Sequence, residues 1–144
     1  MNILVKKLHE DSTVPSFGSE YAAGADLYAC LESGVTIAPG QTLMIPTGLS
    51  MELPVGYAGF IYARSSLGTK RGLAPANKVG VIDSDYRGEF MVALHNHGKE
   101  EQTVSHGERI AQLVIAPVVT PGFTEAEELT DTERGAGGFG STGK

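Results

Sequence analysis

Short apolar-rich runs broken by polar turn signals fill this 144-residue chain. No window of about 11–18 residues sustains a helical period. The β-rich runs predict strands over residues 2–8, 25–30, 34–38, 41–46, 48–53, 57–62, 78–83, 89–95, 101–104 and 108–117. Between them lie Ser33-Gly34, Pro39-Gly40, Pro54-Val55-Gly56, Asn96-His97-Gly98 and Ser105-His106-Gly107, each with the chemistry of a tight turn. Short strands at this spacing indicate an all-β sandwich or barrel. One or two turns of helix are expected only after Arg64, across Ser65-Ser66-Leu67-Gly68-Thr69-Lys70, where serine hydroxyls can cap free N–H groups.

The length fits one domain that buries most of its apolar surface. It changes character near residue 121, which divides a β domain (1–120) from a C-terminal arm (121–144). The arm runs from Pro121-Gly122 through an acidic segment to a glycine-rich end. It cannot bury apolar area of its own and is expected to be mobile when free. A frayed terminus is the plain reading. Against it stand Phe139, a large ring with no neighbour to pack on, and Arg134, Ser141 and Thr142, anion-binding groups set among glycines. The closing Gly-Ser-Thr-Gly-Lys is not a P-loop, because no strand precedes it and no helix follows.

Charge narrows the choice of partner. The net charge of −6 argues against a duplex-binding protein. Five of the 11 Lys and Arg nevertheless fall between Arg64 and Arg87, while Glu125, Glu127, Glu128, Asp131 and Glu133 gather near the C-terminus. An acidic protein with a locally basic middle suits a small anionic ligand. The single cysteine, Cys30, excludes an intramolecular disulfide and a multi-cysteine zinc site. His95 and His97 share a face if the strand runs through both, yet no third metal ligand stands at a recognisable spacing. No run reaches the roughly 20 apolar residues of a membrane span, and the N-terminus lacks the parts of a signal peptide. A soluble, cytoplasmic protein is expected.

Four pieces carry candidate chemistry. In Gly80-Val-Ile-Asp-Ser-Asp-Tyr-Arg-Gly-Glu89, the pair Val81 and Ile82 reads as the end of a buried strand running into Asp83, Asp85, Tyr86 and Arg87. A turn that only reversed the chain would need no Tyr between an acid and an Arg. The segment fits a small-molecule site, and equally a hairpin with solvated charges and Tyr86 at its rim. Ala63-Arg64-Ser65-Ser66-Leu67-Gly68 fits a phosphate cradle, or else a capped helix with a surface Arg. Asp26 begins a strand, as many structural acids do. Gln112 lies within an otherwise apolar strand and must find a partner in protein or ligand.

In this order, the four pieces and the Arg134–Gly143 tail resemble the five motifs of the trimeric dUTP diphosphatases (dUTPases) over roughly residues 15–143. Ala25 stands where that family often has an aromatic, and Tyr62-Ala63 precedes Arg64 where proline is frequent. The resemblance implies a jelly-roll subunit in a homotrimer, with active sites at subunit interfaces. It also implies hydrolysis of dUTP to dUMP and diphosphate, with Mg²⁺ on the triphosphate. By that likeness Asn77 and the backbone of Gly80, Val81, Ile82 and Asp83 read uracil, Met91 lines the base pocket, and Tyr86 lies under the deoxyribose. Arg64, Ser65, Ser66 and Gln112 hold phosphates. Phe139 stacks on uracil, Arg134 meets the triphosphate, and Gly140, Ser141 and Thr142 complete the closing arm. Asp26 acts on the metal only through water. Asp83 is the expected base, as the one carboxylate of its loop that directly follows the strand.

Two rivals remain: a dCTP deaminase, or bifunctional deaminase and diphosphatase, of similar fold that also carries an Arg-Ser-Ser turn, and a non-catalytic jelly-roll module that binds nucleotide. The Tyr86 loop and Phe139 arm favour the diphosphatase over the first, and the lone Cys30 excludes a zinc-type deaminase.

Overall fold

The structure, a computed structural model, describes residues 1–138. Its elements are the strands β1 (Leu4–Lys7), β2 (Ser16–Phe17), β3 (Ala25–Tyr28), β4 (Val35–Ile37), β5 (Thr42–Pro46) and β6 (Leu49–Glu52), then β7 (Tyr57–Tyr62), β8 (Leu73–Pro75), β9 (Gly80–Ile82), β10 (Met91–Asn96), β11 (Gln102–Val104) and β12 (Arg109–Pro117). A single helical turn (Leu67–Arg71) separates β7 from β8. Each expected strand is present, and β2 and β8 are additions. β2 has only two residues, and β8 ends on Pro75, a residue that reads as a strand breaker.

All the strand pairs are antiparallel, in sheets ordered β1-β6, β5-β10-β8, β11-β4 and β2-β3-β12-β7-β9. Among the described residues these sheets do not close into a barrel, which corrects the barrel-like expectation: the largest ends on β2 and β9. Their inner faces share one core that includes Leu27, Ile45, Leu49, Ile61, Phe90, Val92, Leu94 and Leu113.

β10 shows how the pattern sets the face. Val92, Leu94 and Asn96 point inward while Met91, Ala93 and His95 point outward. Asn96, fully buried, donates to the carbonyls of Ile37 (2.9 Å) and Glu100 (2.8 Å) and accepts from Gly98 N (2.9 Å), so its amide is satisfied. In β12 the alternation breaks at Ile110 and Ala111, both buried, because the register against β3 slips between Arg109 and Ala111.

The helical turn winds as a π-helix, a form often found at functional sites. Ser66 occupies its N-cap position without a side-chain capping bond, contrary to the expected serine cap. Thr69 Oγ1 instead donates to Ser65 O at 2.7 Å. Gly72 ends the turn at φ +66°, and a Cβ there would lie 2.8 Å from Gly98 N, so only glycine fits.

From Val118 to Glu133 the chain is extended and exposed, with Val119, Phe123 and Leu129 each about nine-tenths accessible. Residues 132–137 form a local turn: Gly135 N donates to Thr132 O (3.0 Å), and Arg134 Nε donates to Gly137 O (2.9 Å).

Candidate active site

The expected site residues fall into two groups. The first lies around the hairpin after β9. Val81, Ile82, Asp83, Tyr86 and Met91 line a cleft of about 280 Å³, together with Met44 and Glu89. Gly80 is buried against Ile61, while Asn77 is exposed at the loop before β9. In that loop Lys78 takes a left-handed φ of +67°, an uncommon conformation for a lysine. This tight bend shortens the expected 78–83 strand to Gly80–Ile82. Val81 is 61% exposed and Ile82 half-buried, so the pair does not form the buried strand end that its composition suggests. β9 is an edge strand of its sheet, and its outer face opens on the cleft. Asp83 follows, exposed, its carbonyl accepting from Tyr86 N at 3.2 Å.

The second group lies at the far end of the same sheet. Gln112 of β12 pairs with Asp26 of β3 on one side and with Tyr62 of β7 on the other. That register brings Arg64, two residues past β7, over Gln112 onto Asp26. Arg64 Nε donates to Asp26 Oδ1 at 2.8 Å, and Arg109 Nη1 meets Oδ2 at 3.2 Å. The two arginine stems cover a carboxylate whose side chain is only 13% exposed, which is why Asp26 is buried although its neighbour Leu27 points to the other face, into the core. Gln112 Nε2 donates to Ala63 O at 2.9 Å, pinning the backbone just before Arg64. Its partner is therefore protein. Ser65 and Ser66 are exposed at the start of the helical turn.

Lys70 is exposed, but Arg71 is spent internally. Its guanidinium donates to Gln102 Oε1 (2.9 Å), to Thr103 O (2.6 Å) and to the Glu108 carboxylate. This fixes the end of the helical turn to β11 and the approach to β12. His95 and His97 meet edge to face, with ring centroids 4.3 Å apart, and Thr42 Oγ1 lies 2.8 Å from His95 Nδ1. His97 holds its proton less readily than an ordinary histidine, through desolvation first, then repulsion from His95 and Lys78. Among the described residues no three His, Cys, Asp or Glu side chains gather to hold a metal ion. Nor is any helix long and apolar enough to cross a membrane.

The antiparallel register keeps the two groups apart within one chain. Gly80 opposes Ile61 and Ile82 opposes Gly59, so Asp83 lies beyond the Gly59 end of β7 while Arg64 lies beyond the other. Five or six strand residues put them roughly 15–20 Å apart at ~3.3 Å per residue. Arg134 lies on the exposed arm. Phe139, Gly140, Ser141 and Thr142, expected in the closing arm, lie outside the described residues. Sequence reasoning missed Met44, Glu89 and Arg109. Met44 sits on the outward face of β5 opposite Ala93, and Arg109 pairs with Tyr28 on β3, the strand that carries Asp26, so pairing register was the signal that could have found both.

An all-β scaffold with an arginine-, hydroxyl- and amide-bearing cradle and an acid-bearing hairpin over a cleft is the equipment of a nucleotide hydrolase. A profile of the dUTPase family matches residues 10–143. The chain is 54% identical to the deoxyuridine 5'-triphosphate nucleotidohydrolase of Desulfitobacterium hafniense over 131 residues, 90% of this chain and 87% of that one. It is 49% identical to that of Hahella chejuensis over 144 residues, 99% and 95% of the two chains. A dUTPase mutant of Staphylococcus bacteriophage 80alpha with dUpNHpp superposes with a TM-score of 0.90 at 27% identity, covering 97% of each chain. The chain belongs to the dUTPase family, enzymes that hydrolyse dUTP.

Proposed function

We propose that the chain converts dUTP to dUMP and diphosphate at sites shared between copies of itself, with Asp83 activating the water that attacks the α-phosphorus. The carrying observation is the separation of the two groups along β7 and β9. One chain cannot place both the Asp83 hairpin and the Arg64 cradle on one triphosphate. A jelly-roll homotrimer resolves this if one subunit supplies the hairpin, a second the cradle and a third its arm. Two features support assembly. An apolar groove of about 460 Å³ is lined by Ile3, Val5, Val14, Phe17, Met51 and Ile115. Phe123 and Leu129 stand exposed on the extended chain. On this reading residues 1–120 are the catalytic domain and 121–144 an arm that closes over a neighbour's site.

The roles follow from the chemistry at each position. Asn77 and the Gly80–Asp83 backbone present hydrogen-bonding groups to uracil, while Met91 lines its pocket. Cytosine reverses the donor and acceptor pattern at that edge, and a mismatch that leaves buried partners unpaired is rejected by up to ~10⁴–10⁵-fold. Tyr86 walls the sugar where a 2′-hydroxyl would collide. In the cradle, Arg64 turns its Nε edge to Asp26, leaving the Nη nitrogens for phosphate. Ser65 and Ser66 add hydroxyl donors, and Gln112 offers the amide hydrogen that Ala63 does not take. Arg134, Gly140, Ser141 and Thr142 bring cationic and backbone groups to the triphosphate, and Phe139 stacks on the base.

Among the described residues there is no closed metal cage, so the fit to Mg²⁺ is partial: Asp26, already shared by two arginines, suits a contact through water but not direct ligation. Asp26 would hold the ion only through water, and the ion, when bound, would supply neutralisation of the triphosphate's negative charge. Asp83 takes a proton from the attacking water, the new oxygen bonds to the α-phosphorus, and diphosphate leaves. Closure of the arm excludes bulk water. Such an enzyme would keep uracil out of DNA and supply dUMP for dTMP synthesis in the cytoplasm. Incubation with dUTP and with dCTP decides between the readings: diphosphate from dUTP is expected, ammonia from dCTP would indicate a deaminase, and binding of dUTP without turnover a non-catalytic module.

A further inference from the structure

Tyr86 can discriminate against a 2′-hydroxyl only if its ring is held in place, and Glu89 does the holding. The Tyr86 hydroxyl donates to Glu89 O at 3.0 Å, and its ring folds back over the Gly88 backbone so closely that a Cβ on Gly88 would lie 2.3 Å from Oη. The backbone under the ring is in turn stapled to β6 and the turn before it. Ser50 Oγ donates to Arg87 O (2.7 Å), Phe90 N to Leu49 O (2.8 Å) and Thr47 Oγ1 to Phe90 O (2.5 Å). Gly48 N donates to Glu89 Oε1 at 2.7 Å. That last bond is the staple whose acceptor is a hairpin side chain. Its donor end is rigid: Gly48 is buried at φ +67°, its carbonyl accepts from Ser12 Oγ (2.9 Å) and Leu8 N (2.8 Å), and a Cβ there would lie 2.1 Å from Ser12 Oγ.

We infer that Glu89 is a positioning residue for sugar selection: its carboxylate ties the hairpin to Gly48 while its carbonyl grips the Tyr86 hydroxyl, fixing the wall of the cleft it lines. The inference rests on the reading of Tyr86 as the sugar wall. Loss of the carboxylate would leave the ring free to retreat and admit a ribose. A merely structural glutamate would weaken turnover of dUTP and UTP together. A positioning one changes their ratio.

The test compares kcat/KM for dUTP and UTP in the full-length enzyme. Glu89→Ala should cut the dUTP preference by about tenfold or more, and Glu89→Gln, which keeps an acceptor for Gly48 N, should stay within about threefold of wild type. A folded Glu89→Ala enzyme with the wild-type ratio overturns the inference, as does Glu89→Gln losing the preference as fully as Glu89→Ala. If Glu89→Ala does not fold, Glu89→Asp, one methylene short of Gly48, carries the same expectation and the same refutation. Tyr86→Ala separates the two levels: an unchanged ratio there refutes the sugar-wall reading itself, whereas a lost ratio there with an intact one in Glu89→Ala refutes only the role of Glu89.

Discussion

The two ends of the β7–β9 pair solve opposite problems. At the Arg64 end the charges answer one another: Asp26 lies between Arg64 and Arg109, and Gln112 is bonded to Ala63. On the proposed reading a triphosphate would meet the Arg64 Nη nitrogens and the second amide hydrogen of Gln112, so this end starts neutralised and would take phosphate beside its existing pairs. At the Asp83 end the backbone is stapled to Thr47–Ser50, and the acid stands exposed over a cleft. The scaffold there is preorganised, and Asp83, the base in the proposed reaction, is open to solvent. On the proposed roles, binding strength and chemistry would fall to different mechanical settings, one adaptable and one rigid.

Breaking the rigid end should cost most. Asp83→Asn should lower kcat by about 10²–10⁴-fold, since that is the usual contribution of a positioned base. Binding of dUpNHpp, measured by calorimetry, should change only severalfold. Retention of more than about a tenth of wild-type kcat would remove Asp83 from its role. Deletion of residues 134–144 should reduce kcat/KM by about 10²-fold through lost closure and alignment, with the assembly mass unchanged by light scattering. A deletion that dissociates the assembly would make the arm a structural element instead.

The adaptable end should respond more gently. Arg64→Ala should lower kcat/KM by about 10–10²-fold, and Arg109→Ala, which leaves Arg64 on Asp26, by less than about tenfold. Equal losses in the two variants would mean that the ion-paired cluster, and not Arg64 itself, meets phosphate. The smallest effect lies outside both ends, at His97. Its pKa is lowered in the folded chain, so the unfolded chain binds the proton more readily as pH falls through about 6.5. Stability contributed by neutral His97 is thus present above that pH and declines below it. The drop in Tm between pH 7.5 and 5.5 should be smaller for His97→Gln, and a larger drop would reverse the sign assigned to the pair.

The sequence pattern located the strands because burial alternates as the side chains do, as in Val92, Leu94 and Asn96 of β10. It misjudged Val81, whose apolar character belongs to an outward cleft wall on an edge strand. Composition cannot tell such a wall from a core. Asp26, Gln112 and Arg64 were legible one by one, but their meeting depends on the β3-β12-β7 register, and Arg109 enters the cluster only through it. Glu89 carried no signal in the sequence, where it only begins the expected 89–95 strand, because its partner, Gly48 N, is 41 residues away. What stayed hidden was the pairing of distant residues, since no local preference encodes it.

The most direct measurement is turnover of dUTP in water enriched in oxygen-18, followed by mass spectrometry of both products. Attack of Asp83-activated water on the α-phosphorus predicts the heavy oxygen in dUMP and none in diphosphate. Label in diphosphate would place the attack on the β-phosphorus and contradict the account.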